Sequence, residues 1–300
     1  MNKLITILGP TASGKSTLGI ELAKEFDGEI VSADSRQVYR GLDIGTGKVT
    51  LEEQKLVPHH LLDVVEPMGN FSLAHYQKLA FAAIDGIIKR GQPASSAGRL
   101  PFLVGGTALY IYAVVDNYNL SNVGPNAKQR QELERLSTTE LQAILSHHTH
   151  PPILTSSDYQ NPRRLIRAIE KLEAGAPLRA EKNPARYNSL LLGIDIPREK
   201  LYKKIDQRVD ERIKQGMIEE VKRLRQSVAD DKLLGFGLEY RFITEYLLGR
   251  WLSQEAMLAR LKTASHAFVR RQLTWWRKDK RIVWIRNLDQ AKPKITDFLK

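Results

Sequence analysis

KLITILGPTASGKSTLGIELAKEF, residues 3–26, is the stretch that decides the fold. Residues 3–8 form an apolar run rich in isoleucine and leucine that stops at a glycine, as a buried parallel strand does. Residues 9–16, GPTASGKS, fit the phosphate-loop pattern G-x-x-x-x-G-K-[ST]. Behind them, apolar residues at 18, 20, 22, 23 and 26 mark one face of a helix. Strand, glycine-rich loop and helix in that order open an α/β unit. In the loop, Gly9 and Gly14 permit the tight wrap that carries Pro10, Thr11, Ala12 and Ser13 and turns successive N–H groups inward. Lys15 supplies a mobile positive charge to phosphate oxygens, and the Ser16 hydroxyl can ligate Mg²⁺. Such a loop specifies a phosphorylated ligand, not ATP: a kinase, an NTPase and a pyrophosphate-releasing transferase all fit it.

Working outward, EIVSAD (29–34) reads as a second strand, AFAAIDGIIKRG (80–91) as a helix ended by glycine, and LPFLVGG (100–106) as a third strand running into a glycine turn. Strands alternating with helices imply a parallel sheet covered on both faces, so the expected class is α/β with a phosphate-loop NTPase-like sheet. After about residue 120 the texture changes to charged helical patterns, QRQELERL (129–136), NPRRLIRAIEKLEAG (161–175) and one long run, EKLYKKIDQRVDERIKQGMIEEVKRLRQ (199–226). LLLGIDI (190–196) and RIVWI (281–285) read as returning strands of the sheet. The expected organisation is therefore a core of residues 1–120 and 188–300 interrupted by a helical insertion, 121–187, with loops at GPNA (124–127) and EKNPARYNS (181–189) flanking it.

The 300 residues carry a net charge of +12, and its distribution is lopsided. Residues 1–118 hold 11 Lys+Arg against 12 Asp+Glu, leaving 46−11=35 against 34−12=22 for the remainder. A near-neutral part followed by a basic part suits one segment handling a compact ligand while the other grips a polyanion. A solvated lysine-rich surface is the competing reading. Cysteine is absent, which excludes disulfides, thiolate metal sites and cysteine nucleophiles. No segment resembles a secretory signal or a membrane span, so a cytoplasmic protein is expected, acting as a monomer.

Asp34 falls just past the second strand, at the carboxyl edge where open α/β sheets gather ligands. Ser35 or Asp34 could instead simply cap a helix by satisfying orphan amides, and both readings stand on the local sequence. The whole series GPTASGKS, SADSRQVYRGLDIGTGK (32–48), VPHHLLDVVEP (57–67), FLVGGTALY (102–110), RRLIRAIE (163–170) and RRQLTWWR (270–277) closely resembles the tRNA dimethylallyltransferase family, in that order and over nearly the whole chain.

That resemblance implies that the phosphate loop holds the pyrophosphate of dimethylallyl diphosphate with Mg²⁺, and that the acceptor is N6 of the adenosine 3′ of the anticodon in tRNA. By matching position, Asp34 is the implied general base, and Thr107 contacts the leaving phosphate region beside Gly105 and Gly106. Arg208 joins Lys15 at the departing pyrophosphate, where negative charge develops. On residue type alone, Thr107 could instead cap a helix and Arg208 could lie on a solvated face. A free-adenylate isopentenyltransferase and a small-molecule phosphate-loop kinase are the alternative enzymes.

The tRNA-facing residues implied are Asp34, Ser35, Arg36 and Gln37 at the acceptor nucleotide, Arg130, the segment Gln160, Asn161, Pro162, Arg163, Arg164 with Arg167, and Arg270 and Arg271. Gln37 could read an adenine edge through its amide. Trp275 and Trp276 could stack on bases, although burial of both in the core is the expectation. Three places depart from the family pattern: QNPRR (160–164), where an Asn-Asp pair and an arginine are usual, GFGLEYRF (235–242), and His266 in place of an arginine. All three bear on the tRNA side.

Overall fold

The structure is a computed structural model that describes residues 1–90, 99–120, 124, 126–148, 154–178 and 181–300. In chain order the elements are β1 (Lys3–Leu8), α1 (Lys15–Glu25), β2 (Gly28–Ser32), α2 (Leu51–Leu56), β3 (His59–His60), α3 (Leu73–Arg90), β4 (Leu100–Gly105) and α4 (Ala108–Val115). There follow β5 (Tyr118–Asn119), α5 (Ala127–Leu133), α6 (Thr138–Ser146), α7 (Ser156–Tyr159), α8 (Pro162–Glu173) and β6 (Glu181–Lys182). The chain then returns through β7 (Asn188–Ile194), α9 (Arg198–Lys214), α10 (Met217–Leu224), α11 (Asp230–Leu234), α12 (Leu238–Leu247), α13 (Gln254–Trp276), β8 (Val283–Ile285) and α14 (Leu288–Leu299).

Among the described residues, six strands pair in parallel in the order β3-β2-β4-β1-β7-β8. The α/β class read from the sequence is the one observed. β1 and β4 are buried apart from the half-exposed Lys3, which explains their unbroken apolar runs. Ile5, Ile7, Phe102, Val104 and Leu192 join Leu18 and Leu22 of α1 and Ile295 of α14 in the core on one face. Each buried Leu, Ile or Phe side chain contributes roughly 1.5–3 kcal/mol, so this packing holds the strand ends where they are.

Register does the rest. Leu8 pairs with Gly105, and Ser32 with Val104, so the loops leaving β1, β2 and β4 emerge side by side at the carboxyl edge. A Cβ on Gly105 would lie 2.2 Å from the Ala33 carbonyl oxygen, and only glycine permits that approach.

The chain divides into two compact units, Met1–Asp116 with Ala185–Lys300, and Asn117–Pro184. In the first, α9 and α13 pack antiparallel through Leu201, Ile205 and Val269. A polar ladder runs beside that seam: Lys262 to Asp210 (2.7 Å), His266 to Asp206 (2.8 Å), and Arg270 to the Tyr202 hydroxyl (3.4 Å). His266 also stacks on Tyr202, with ring centroids 4.1 Å apart. The second unit has its own core, Leu141, Leu145, Leu165, Ile166 and Ile169, around α6 and α8.

The long run 199–226 is not one helix. Gly216, at φ 93°, breaks it into α9 and α10, because the left-handed conformation there cannot continue an α-helix and suits glycine. The helix expected over 80–91 begins seven residues earlier, at Leu73, and Gly91 lies outside the described residues. Part of GPNA, at residue 125, does so too. Among the described residues no helix is long and apolar enough to cross a membrane.

Candidate active site

The phosphate loop leaves β1 with Ala12 (φ 61°) and Gly14 (φ 89°) both left-handed, a geometry that turns consecutive amides toward one concavity. Gly14 is the N-cap of α1 and has no side chain to cap it, so the first amides of that helix are left for a ligand. Lys15, Ser16, Lys204, Arg208 and Glu211 line a cavity of about 320 Å³ over this helix start. A second cavity of about 580 Å³ shares Arg208 and Glu211 and extends past Lys48, Arg212 and Gly47.

Lys15 is held at a pKa of about 8. Burial is the main cause, the cations Arg208 and Arg212 push the same way, and Asp34 opposes them. Arg208 falls to about 10, through burial first and then Arg212, with Glu239 and Asp34 opposing. Three cations, Lys15, Arg208 and Arg212, therefore share a partly desolvated space with two carboxylates, Asp34 and Glu239. Clustered like charges are costly without a counter-ion, and a multiply charged anion supplies one.

Asp34 faces this cluster from the end of β2. Its Oδ1 accepts from the amides of Arg36 (2.9 Å) and Gln37 (3.4 Å), in a turn and not at the start of a helix. Among the described residues Oδ2 has no hydrogen-bond partner and remains open to a ligand proton. Thr107 stands at the N-cap position of α4, but its side chain makes no capping bond. Its hydroxyl accepts from the Ser35 amide (3.0 Å) and donates to the Ser35 hydroxyl (3.3 Å), fixing the segment after Asp34 to the turn after β4. Arg208 is not on a solvated face: it donates through Nη2 to the Thr11 hydroxyl in the rim of the phosphate loop.

Gln37 is buried. Its Oε1 accepts from the Ser32 hydroxyl (3.4 Å) and its Nε2 donates to the Gly47 carbonyl (3.1 Å), so the amide is already engaged within the protein and does not present both edges to a base. The expectation for the tryptophans also needs correction. Trp276 is fully buried, but Trp275 is 51% exposed on α13, because adjacent helical residues point about 100° apart and the narrow buried stripe of this helix takes in only Trp276.

Several residues of this site escaped the sequence. Glu220, on α10 and buried, accepts three successive amides, Asp43 (3.1 Å), Ile44 (2.8 Å) and Gly45 (3.1 Å), together with the Tyr240 hydroxyl (2.7 Å). Arg212 donates to the Gly45 carbonyl (2.9 Å) and pairs with Glu239 (2.7 Å). These contacts clamp the 43–47 loop beside the second cavity. The atypical GFGLEYRF segment supplies two of the partners, Glu239 and Tyr240. Only the i,i+4 spacing of Arg208 and Arg212 on one helix face hinted at this.

The chain has known relatives. The IPP transferase family matches residues 37–279. A tRNA dimethylallyltransferase of Roseiflexus sp. is 46% identical over 93% of this chain and 91% of its own length. One of Anoxybacillus flavithermus is 41% identical over 96% and 92%. The chain belongs to the IPP transferase family. A crystal structure of the full-length tRNA isopentenylpyrophosphate transferase from Bacillus halodurans superposes with a TM-score of 0.73 at 35% identity, covering all of this chain and 96% of that one. IPP transferases are prenyltransferases, so the cluster of Lys15, Asp34, Thr107 and Arg208 sits in an enzyme of that kind.

The remaining residues singled out in this IPP transferase lie elsewhere. In the 117–184 unit, Gln160 closes α7, Asn161 caps α8 by accepting from the Arg164 amide (3.3 Å), and Pro162 occupies the first turn, so QNPRR is a helix start. Arg163 is exposed, and Arg164 pairs with Asp158 (2.6 Å). Arg130 makes a two-pronged contact with the buried Glu170 (2.7 and 2.9 Å), which Arg167 also reaches (3.0 Å). Arg270 and Arg271 are exposed on α13, the latter over the Phe268 ring.

Magnesium fits only in one way. Among the described residues no group of three His, Cys, Asp or Glu could hold a metal. One serine hydroxyl at the start of α1 suits an ion that keeps water and takes its other oxygens from a bound diphosphate, and does not suit a metal caged by protein.

Proposed function

We propose that this chain transfers a dimethylallyl group from dimethylallyl diphosphate to N6 of the adenosine 3′ of the anticodon in tRNA, releasing pyrophosphate. The reading rests on one observation above all: Asp34, whose Oδ2 has no hydrogen-bond partner among the described residues, acts electrostatically on Lys15 of the phosphate loop and on Arg208 of α9. A carboxylate base beside a phosphate loop would also serve a small-molecule kinase; what favours prenyl transfer over that alternative is that the named relatives are tRNA dimethylallyltransferases.

In this scheme the amides of Gly14, Lys15 and Ser16 with the Lys15 ammonium hold the diphosphate, and Gly9 to Ser13 shape the loop. Arg208 supports the bridging side. Mg²⁺ on Ser16, when bound, neutralises charge on the diphosphate. The N6 nitrogen forms a bond to the allylic carbon as the carbon–oxygen bond to diphosphate breaks, and the proton lost from N6 passes to Asp34 Oδ2. Thr107 keeps Asp34 in place through Ser35. An adenine must leave its stack to reach a carboxylate at this depth, at a cost of about a few kcal/mol.

For the RNA, the 117–184 unit offers Gln160, Asn161, Pro162, Arg163 and Arg164 at an exposed helix start. Arg130 and Arg167 act through Glu170, which they share. Ser35, Arg36 and Gln37 border the acceptor site, with Gln37 shaping the loop, and Arg270 and Arg271 contribute positive charge. We read the enzyme as cytoplasmic, where a tRNA acceptor is at hand. The test is mass spectrometry of tRNA nucleosides after incubation with enzyme, Mg²⁺ and dimethylallyl diphosphate. An added C5 unit on adenosine is expected. Unmodified tRNA, or modification of free AMP in preference to RNA, would sink the proposal.

A further inference from the structure

We propose that Gln272 is a positioning residue of the diphosphate site, its amide strapping the phosphate loop after β1 to the glycine turn after β4. The inference rests on the diphosphate reading above and adds a residue to it. Oε1 of Gln272 accepts from the Thr11 amide (3.1 Å), while Nε2 donates to the Gly106 carbonyl (3.2 Å). These two backbones already lie close together: a Cβ on Gly106 would be 3.4 Å from the Gly9 carbonyl oxygen and 3.5 Å from Lys15 Nζ. One side chain thus spans the two loops that flank the Lys15 ammonium.

The chemistry of the strap selects its residue. Of the neutral side chains long enough to reach both loops, only a glutamine offers an acceptor and a donor on one rigid plane. Glutamate keeps the Thr11 bond, loses the Gly106 bond and sets a negative charge beside the phosphates. Leucine fills the space and makes neither bond.

Two further contacts make the strap part of a larger brace. Thr11 is held at its amide by Gln272 and at its hydroxyl by Arg208, so α13 and α9 grip the same residue from two sides. Next to it, Ala12, in its left-handed conformation, packs against the Leu201, Ile205 and Val269 cluster between those helices. The Thr11 amide is withdrawn from the ligand, and the amides at the α1 start are presented at a fixed distance from Gly106 and Lys15. Gln272 lies within RRQLTWWR, beside the exposed Arg270, Arg271 and Trp275, so an RNA contact is the competing role for it.

The test compares wild type, Gln272→Leu and Gln272→Glu by calorimetric binding of inorganic pyrophosphate with Mg²⁺, and by separate KM values for dimethylallyl diphosphate and tRNA. In Gln272→Leu, loss of the two bonds should weaken pyrophosphate binding and raise the donor KM about tenfold. Gln272→Glu should lose more, because it adds repulsion. The tRNA KM should stay within about twofold in both. Unchanged pyrophosphate binding in either folded variant overturns the strap, and so does a rise confined to the tRNA KM. If Gln272→Leu does not fold, Gln272→Glu, which retains the Thr11 bond, carries the same comparison. A wild-type enzyme that ignores pyrophosphate overturns the diphosphate reading itself, and the strap with it.

Discussion

Arg208 of α9 donates through Nη2 to the hydroxyl of Thr11, joining a helix 197 residues away in sequence to the rim of the phosphate loop. Its pKa is depressed to about 10 by burial and by Arg212, yet it stays protonated at neutral pH, so the site keeps a fixed, poorly solvated positive charge. Such a charge is most useful where diphosphate acquires negative charge as it leaves. Arg208→Ala should therefore lower kcat by roughly 10²–10³ with a smaller change in donor KM. Steady-state kinetics decides it. A purely raised KM would mean that Arg208 binds the ground state and the departing group equally.

Asp34→Asn isolates the base from the turn. Asparagine keeps the oxygen that accepts from the Arg36 amide, so the loop should persist. Proton uptake at the second oxygen is lost, together with the negative charge felt by Lys15 and Arg208. The expected fall in kcat is about 10² to 10⁴, with pyrophosphate binding retained. A variant retaining full rate would remove Asp34 from proton transfer.

Much of the fold could be read because its signals are local. The run 3–8, the phosphate loop and the first helix occupy 24 consecutive residues, and the apolar runs at 100–106 and 190–196 are continuous because parallel strands bury both faces. The clamp on the 43–47 loop was illegible for the opposite reason. Arg212 and Gly45 lie 167 residues apart, and nothing in either neighbourhood announces the other. Trp276 is an intermediate case. Met257, Leu261, Ser265, Val269 and Trp276 all fall on the buried stripe of α13, a period that selects Trp276 and leaves Trp275 outside. The break at Gly216 likewise had its signal in a glycine within a helical pattern, which charge-rich flanks disguised.

The depressed pKa of Lys15 gives the enzyme a pH dependence of definite sign. An ammonium with a pKa of about 8 loses its charge as pH rises through that value, and a neutral lysine attracts diphosphate weakly. If the protonated form alone binds, donor kcat/KM should fall about tenfold between pH 7 and pH 9, reporting the free enzyme. Saturating donor should hide much of this, since bound diphosphate raises the pKa again. Lys15→Arg, which does not titrate in this range, should flatten the profile even if its rate is low. A profile for Lys15→Arg identical in shape to that of wild type would assign the titration to another group.

Glu29, buried at the start of β2, governs acid stability instead. Burial alone would raise its pKa, but hydrogen bonds from Arg90 (2.7 Å), Arg99 (2.8 Å) and His60 (2.6 Å) outweigh that and hold it at about 2. Because the folded value lies below the unfolded one, near 4.3, the unfolded chain takes up the proton first. The contribution is thus complete above that unfolded value and is lost as pH falls through about 2. Arg90 and Arg99 are nearly half exposed, so the net effect of losing the carboxylate is discounted to roughly 2 kcal/mol. Glu29→Gln should lower Tm by several degrees at pH 7, and the gap from wild type should narrow as the medium is acidified below the unfolded value and close only as pH falls through about 2, where the Glu29 carboxyl becomes neutral. Thermal melts of the two proteins across that range measure it. A gap independent of pH would trace the loss to packing around residue 29 and not to its charge.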